Sequence, residues 1–357
     1  MRAKLIADRT LWLWTIGGSV TAAVAALAPA AQAQVTPKSV VTTDQVRAEL
    51  MAHAPEGVVP GKTVWLGLKI EHQPHWHTYW KNPGDSGLPT TLQWTLPKGV
   101  KAGEIEWPTP RRMPIGPLVN HGYDGKLLLP VRVEVPAGFA ADTLPIKLHA
   151  EWLVCKDVCI PESGDFALDL PARAAWSTQA AAFDAALAAA PRALVGATAS
   201  ASLTSGGLQI EVGGLPVDWA GKAIELFPET AGVLDNAAPR QATWNGNRWA
   251  VTVPLSDQRF ESPQRMDAVL VPTGSAVGSR IGFAIAGSWP KLAQATAPGT
   301  SPAATPRRSR PSAASPSPIT RTTRFGPRLW HRLATQPGRR RMPMRCCPSS
   351  RPTPASS

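Results

Sequence analysis

Cys155 and Cys159, with three residues between them, are the two cysteines that lie in sequence able to fold. A disulfide across so short a loop adds only about 2 kcal/mol in the chain-entropy picture, less than a long-loop staple. Short crosslinks can be strained, and strained, accessible ones are the reducible ones. Two readings stay open on this ground alone: a local structural staple and a redox pair. Zinc fits poorly, because a closed site takes about four ligands and no second Cys pair with ligand spacing occurs in the foldable part. A thioredoxin-type site would be Cys-x-x-Cys at a helix N-terminus in a βαβ context. This pair has neither that spacing nor that setting.

Histidines offer a second chemistry. His72, His75 and His77 fall within six residues. His75 and His77 share a face of an extended segment and could hold a soft or borderline metal such as copper. The neighbouring Trp76, Tyr79 and Trp80 suggest packing instead. Gly84-Asp85-Ser86-Gly87 resembles the surroundings of a serine-protease nucleophile. It is followed by Leu88-Pro89 with no recognisable His or Asp partners, so a turn is the reading.

The elements that must position these residues are strands. The apolar run at 148–154 alternates as a half-buried strand, and Pro161 is expected to stop its ladder. Residues 64–70, 91–96 and 127–135 alternate likewise, separated by turn residues at 82–85, 97–99 and 124–125. Many short strands argue for a sandwich over residues 34–172. Between Trp107 and Asn120 the sequence reads as a long Pro-rich loop, a length that is usually functional or disordered. Residues 174–190 are alanine-rich, with Phe183 and Leu187 one turn apart and Pro191 as a stop, so a helix bridges two domains within a linker at 173–194. Strand patterns resume at 208–212, 223–227, 248–253, 267–271 and 281–286, giving a second, smaller β domain over 195–290. It holds no cysteine and no histidine, so no chemistry is assigned to it.

Charge misleads until the chain is divided. The net charge of +12 comes from 37 Lys+Arg against 25 Asp+Glu. Residues 292–357 hold twelve Arg and neither Lys nor acid, so this tail alone carries the whole excess. The body is near neutral, which removes the argument for a nucleic-acid partner. The tail, 291–357, is read as disordered and has the look of a GC-rich gene translated out of frame. At the other end Arg2, Lys4 and Arg9 precede an apolar stretch at 11–27 and the small-x-small site Ala31-Gln32-Ala33, which reads as a signal peptide over 1–33 cleaved before Gln34. The apolar stretch is nearly long enough for an uncleaved anchor, and the Ala-Gln-Ala site favours cleavage. Export implies a compartment where disulfides persist, and the bacterial periplasm is expected.

Residues 77–90 (HTYWKNPGDSGLPT), Tyr123-Asp-Gly-Lys with Leu129-Pro-Val, and Trp152-Leu-Val-Cys-Lys-Asp-Val-Cys-Ile-Pro-Glu162 together resemble the periplasmic N-terminal region of DsbD-type thiol:disulfide interchange proteins, nearest the suppressor-of-copper-sensitivity, ScsB-like branch. The resemblance implies a mainly β chain of two immunoglobulin-like β-sandwich domains joined by the helical linker, with the tail beyond. It implies that Cys155 and Cys159 pass electrons without a cofactor to periplasmic thioredoxin-fold isomerases or reductases, in copper tolerance or cytochrome c maturation. Cys159, preceding Ile-Pro, would form the mixed disulfide, and Met113, Ile115 and Leu118 would belong to a loop that caps the pair. Full-length relatives are inner-membrane proteins that continue into a membrane electron donor and a thioredoxin-like domain, which this chain is expected to lack; that leaves open whether it acts as a protein-disulfide reductase. The alternative is a non-catalytic copper-binding or chaperone-like sandwich, with a structural disulfide and the three histidines as ligands.

Overall fold

The computed structural model describes residues 38–292 and the backbone of residues 344–345, and the chain is mainly β. The signal-peptide and most of the tail reading lie outside the described residues. Eleven strands come first: β1 (Val40–Thr42), β2 (Val46–His53), β3 (Val64–His72), β4 (His77–Gly84), β5 (Thr91–Thr95), β6 (Lys101–Ile105), β7 (Arg111–Ile115), β8 (Leu118–Asp124), β9 (Lys126–Glu134), β10 (Thr143–Cys155) and β11 (Val158–Pro171). After helix α1 (Ala180–Ala188) come β12 (Arg192–Ala193), β13 (Thr198–Thr204), β14 (Gly207–Gly213), β15 (Ile224–Pro228), β16 (Gln241–Asn245), β17 (Arg248–Val253), β18 (Arg265–Pro272) and β19 (Ser279–Ala286).

The first eleven strands make a sandwich. One sheet runs β1-β2-β3-β9-β6, and the other runs β11-β10-β4-β8-β7 with β5 also on β10. Residues 344–345 form a two-residue strand against Val158 and Cys159. Alternation decides which side chains face inward. From β3 come Val64, Leu66, Leu68 and Ile70, and from β10 come Leu144, Ile146, Leu148, Ala150, Trp152 and Val154, all buried in one core. Each large member contributes on the order of 2 kcal/mol by leaving water.

Pro161 does not stop the ladder. The β10–β11 hairpin pairs every residue from Thr143 opposite Pro171 to Cys155 opposite Cys159, with Pro161 opposite Leu153. Proline lacks an N–H to donate, and an outer strand such as β11 has a side where none is needed. The same tolerance corrects the reading of the Pro-rich stretch as an irregular loop. Its second half is the β7–β8 hairpin, with Pro114 opposite Val119 on the outermost strand and Gly116, at φ 58°, in the turn.

The helix is shorter than its alanines predict. Gln179 provides no side-chain cap, and upstream the backbones of Trp176 and Ala54 bond each other in both directions at 2.8 Å. That pairing holds residues before α1 extended, where propensity alone favoured helix. Phe183 anchors α1 on the sandwich among Met51, Leu128 and Ala186, stacked 5.7 Å from the His53 ring. Strands β12–β19 form one sheet, ordered β15-β18-β19-β13-β14-β17-β16 with β12 on β19. Side chains from both ends of that order share one core, so the sheet folds over upon itself. A third apolar cluster joins Trp80, Tyr123, Leu127 and Leu129 of the first sandwich to Phe227 and Val269 of the second.

Candidate redox site

Cys155 and Cys159 form a disulfide, with Cα atoms 4.2 Å apart, at the end of the β10–β11 hairpin. The even-numbered residues of β10 fill the core, so Cys155 points out of the opposite face. It is nevertheless only 1% exposed, while Cys159 is half-buried. The cover comes from β4. Cys155 pairs directly with His77, which pairs in turn with Asp124 of β8. Directly opposed residues project to the same face, with β carbons about 4.5–5.5 Å apart. Cys159, Cys155, His77 and Asp124 therefore form one row across four strands. Tyr79, two residues on from His77, lies on that face as well: its ring meets the His77 ring edge-on at 5.4 Å, and its hydroxyl is 3.8 Å from Cys159 Sγ. Gly87, at φ +106°, presses its backbone onto the Tyr79 ring, where a Cβ would fall 2.2 Å from Cε1.

The family model for the N-terminal part of thiol:disulfide interchange protein DsbD matches residues 47–171, which contain the whole row. Residues 47–171 are a DsbD-type domain. The crystal structure of the N-terminal periplasmic domain of ScsB from Proteus mirabilis matches the wider fold with a TM-score of 0.53 and 20% identity, covering 70% of this chain and 97% of that one. A yeast GGA1 GAE domain matches with a TM-score of 0.21 and 16% identity over 37% of this chain and 98% of that one, too weakly to bear on the fold. Comparison with curated proteins gives no match.

Within the DsbD-type domain the three histidines take separate roles. His72 is bonded at both ring nitrogens, Nδ1 to the Gly125 carbonyl at 2.8 Å and Nε2 to the Thr78 hydroxyl at 3.0 Å. His75 sits exposed in a turn at φ 73°. His77 is 7% exposed, and its Nε2 has no hydrogen-bond partner among the described residues. Burial holds His72 and His77 below the ordinary imidazole range, against the pull of Asp124 on both. Among the described residues no three His, Cys, Asp or Glu side chains are grouped to hold a metal ion.

Met113, Ile115 and Leu118 lie on the β7–β8 hairpin. Met113 pairs with Asn120, which pairs with Gly84, and Ile115 with Leu118 lies beyond that. The pairing sets them at the Gly84 end of β4, whereas the cysteines adjoin its His77 end.

Sequence reading missed what residues 80–85 do. Asn82, buried, donates to the Pro228 carbonyl at 2.7 Å, and Asp85 accepts from the backbone N–H of Asn236 at 3.1 Å and its side-chain Nδ2 at 3.0 Å. Lys81 pairs with Glu229, which also holds Arg280. The stretch read as a turn thus fastens the second sandwich. The available signal was the density of polar side chains beside Trp80, but nothing local named their partners, which lie about 150 residues away.

Proposed function

We propose that the chain relays electrons in the periplasm from a dithiol donor to disulfides of thioredoxin-fold partners. The observation that carries this is the asymmetry of the pair: Cys159 is half-buried at a hairpin end, and Cys155, 1% exposed, is sealed behind it. In the reduced state the Cys159 thiolate attacks a partner disulfide, forming a mixed disulfide and releasing one partner sulfur as thiolate. Cys155 then attacks Cys159 Sγ, which restores the bond seen here and releases the second partner sulfur. Two electrons and two protons leave with the partner, now a dithiol. A membrane-bound donor would reduce the pair again by the reverse sequence. The family match and the periplasmic origin of the ScsB relative support this reading, and the isomerases or reductases captured would show whether it serves copper stress or cytochrome c maturation.

The test is trapping in the periplasm, with Cys346 and Cys347 replaced by serine. Cys155→Ser is expected to accumulate mixed disulfides with thioredoxin-fold proteins, and Cys159→Ser is expected to form none. Equal trapping by both variants, or none by either, would overturn the assignment.

A further inference from the structure

Buried thiols hold their protons tightly and react slowly. Cys155 is the sulfur that must close the disulfide, yet at 1% exposure it is out of reach of bulk water. A buried resolving thiol needs a proton acceptor beside it. Among the groups facing this spot, His72 of β3 has both ring nitrogens engaged. Asp124 of β8 stands one position further along the row, exposed and paired with Arg111 of β7 at 2.6 Å. The Tyr79 hydroxyl is turned to Cys159. His77 remains, the direct cross-strand partner of Cys155, with a buried ring nitrogen that bonds to nothing among the described residues.

We propose that His77 accepts the proton of the Cys155 thiol as Cys155 closes the disulfide. This rests on the relay reading above and adds a residue to it. Because burial keeps the imidazole neutral at rest, it is free to take a proton, and the same burial makes it give the proton up. With glutathione disulfide as oxidant, the Cys159 thiolate forms Cys159–S–S–glutathione and releases one glutathione thiolate. Cys155 next attacks Cys159 Sγ while its proton passes to Nε2 of His77. The second glutathione leaves as thiolate and takes that proton.

The experiment follows both steps in the reduced full chain, with Cys346 and Cys347 replaced by serine, mixed with glutathione disulfide, acid-quenched and weighed by mass spectrometry. His77→Gln is expected to leave mixed-disulfide formation within about twofold and to slow its resolution roughly tenfold or more. It should also remove from the acid-side fall of the resolution rate the part due to His77 protonation, leaving the dependence set by the Cys155 thiol alone. Resolution that is unchanged, or both steps slowed alike, overturns the proposal. Should His77→Gln fail to fold, Asp124→Asn carries the test, since that carboxylate is exposed and favours a protonated His77. Slower resolution with an unchanged first step supports the proposal, and an unchanged resolution overturns it. A chain that forms no mixed disulfide at all overturns the relay reading as well, which separates the two failures.

Discussion

Gly87 has no room for a methyl group. Its φ of +106° is strained for any other residue, and the Tyr79 ring occupies the space a Cβ would take. Gly87→Ala must move either the loop or the ring that covers Cys159. We expect a loss of about 2–3 kcal/mol in urea unfolding, together with faster reduction of the disulfide by dithiothreitol as Tyr79 is displaced. Unaltered reduction would mean that Tyr79 is not the cover. At this scale the cysteines were legible because their rarity and spacing are visible in one dimension. His77 was visible only as one of three histidines. Its significance lies in being opposite a residue 78 positions away, and register is set by folding, which no local pattern states.

Between elements, the junction of the two sandwiches encloses His121, wholly buried on β8, with neither ring nitrogen well hydrogen-bonded among the described residues. Its ring meets Phe227 edge-on at 5.1 Å and Trp80 at 6.2 Å. Burial first, then repulsion from Arg240 and Arg112, outweighs the nearby Asn82 backbone and pushes its pKa down to about 3. An unfolded histidine takes its proton near pH 6.5. Between that pH and about 3 the unfolded chain therefore holds a proton that the native one refuses, and stability falls as pH falls. This residue alone predicts a loss of about 1.4 kcal/mol per pH unit from roughly pH 6 to pH 4. Urea midpoints over that range should drop, and His121→Leu should flatten the slope; an equal slope in the variant would place the acid sensitivity elsewhere. The strands themselves were readable, since alternation records which face is wet. The Pro-rich hairpin and the short helix were not. An edge strand excuses proline, and the extended pairing of Trp176 with Ala54 overrides alanine propensity, and both facts belong to tertiary position.

For the whole molecule, the disulfide lies outside both cores. Reducing it removes a crosslink worth about 2 kcal/mol from a hairpin that is paired along its full length and anchored by Trp152 and Val154 in the first core. Thermal unfolding of the reduced chain should stay cooperative, with its midpoint lowered by a few degrees. Melting of the first sandwich on mild reduction would instead make the bond a staple. The mainly β architecture was legible from strand spacing. The clamp between the first and the later strands was not, because Asn82 and Asp85 find their partners only once both sheets exist. The ladder that holds Cys155 opposite Cys159 has a last consequence, for kinetics. It fixes the backbone on which the two sulfurs sit, not the bond between them, so the spent and the loaded forms are expected to offer a partner nearly the same surface. A partner can then tell them apart by sulfur chemistry alone, and the oxidised chain should act as a competitive inhibitor of its own reduced form. Net flux would be governed by the ratio of the two in the compartment, and a partner that binds tightly would be slowed by its own supply.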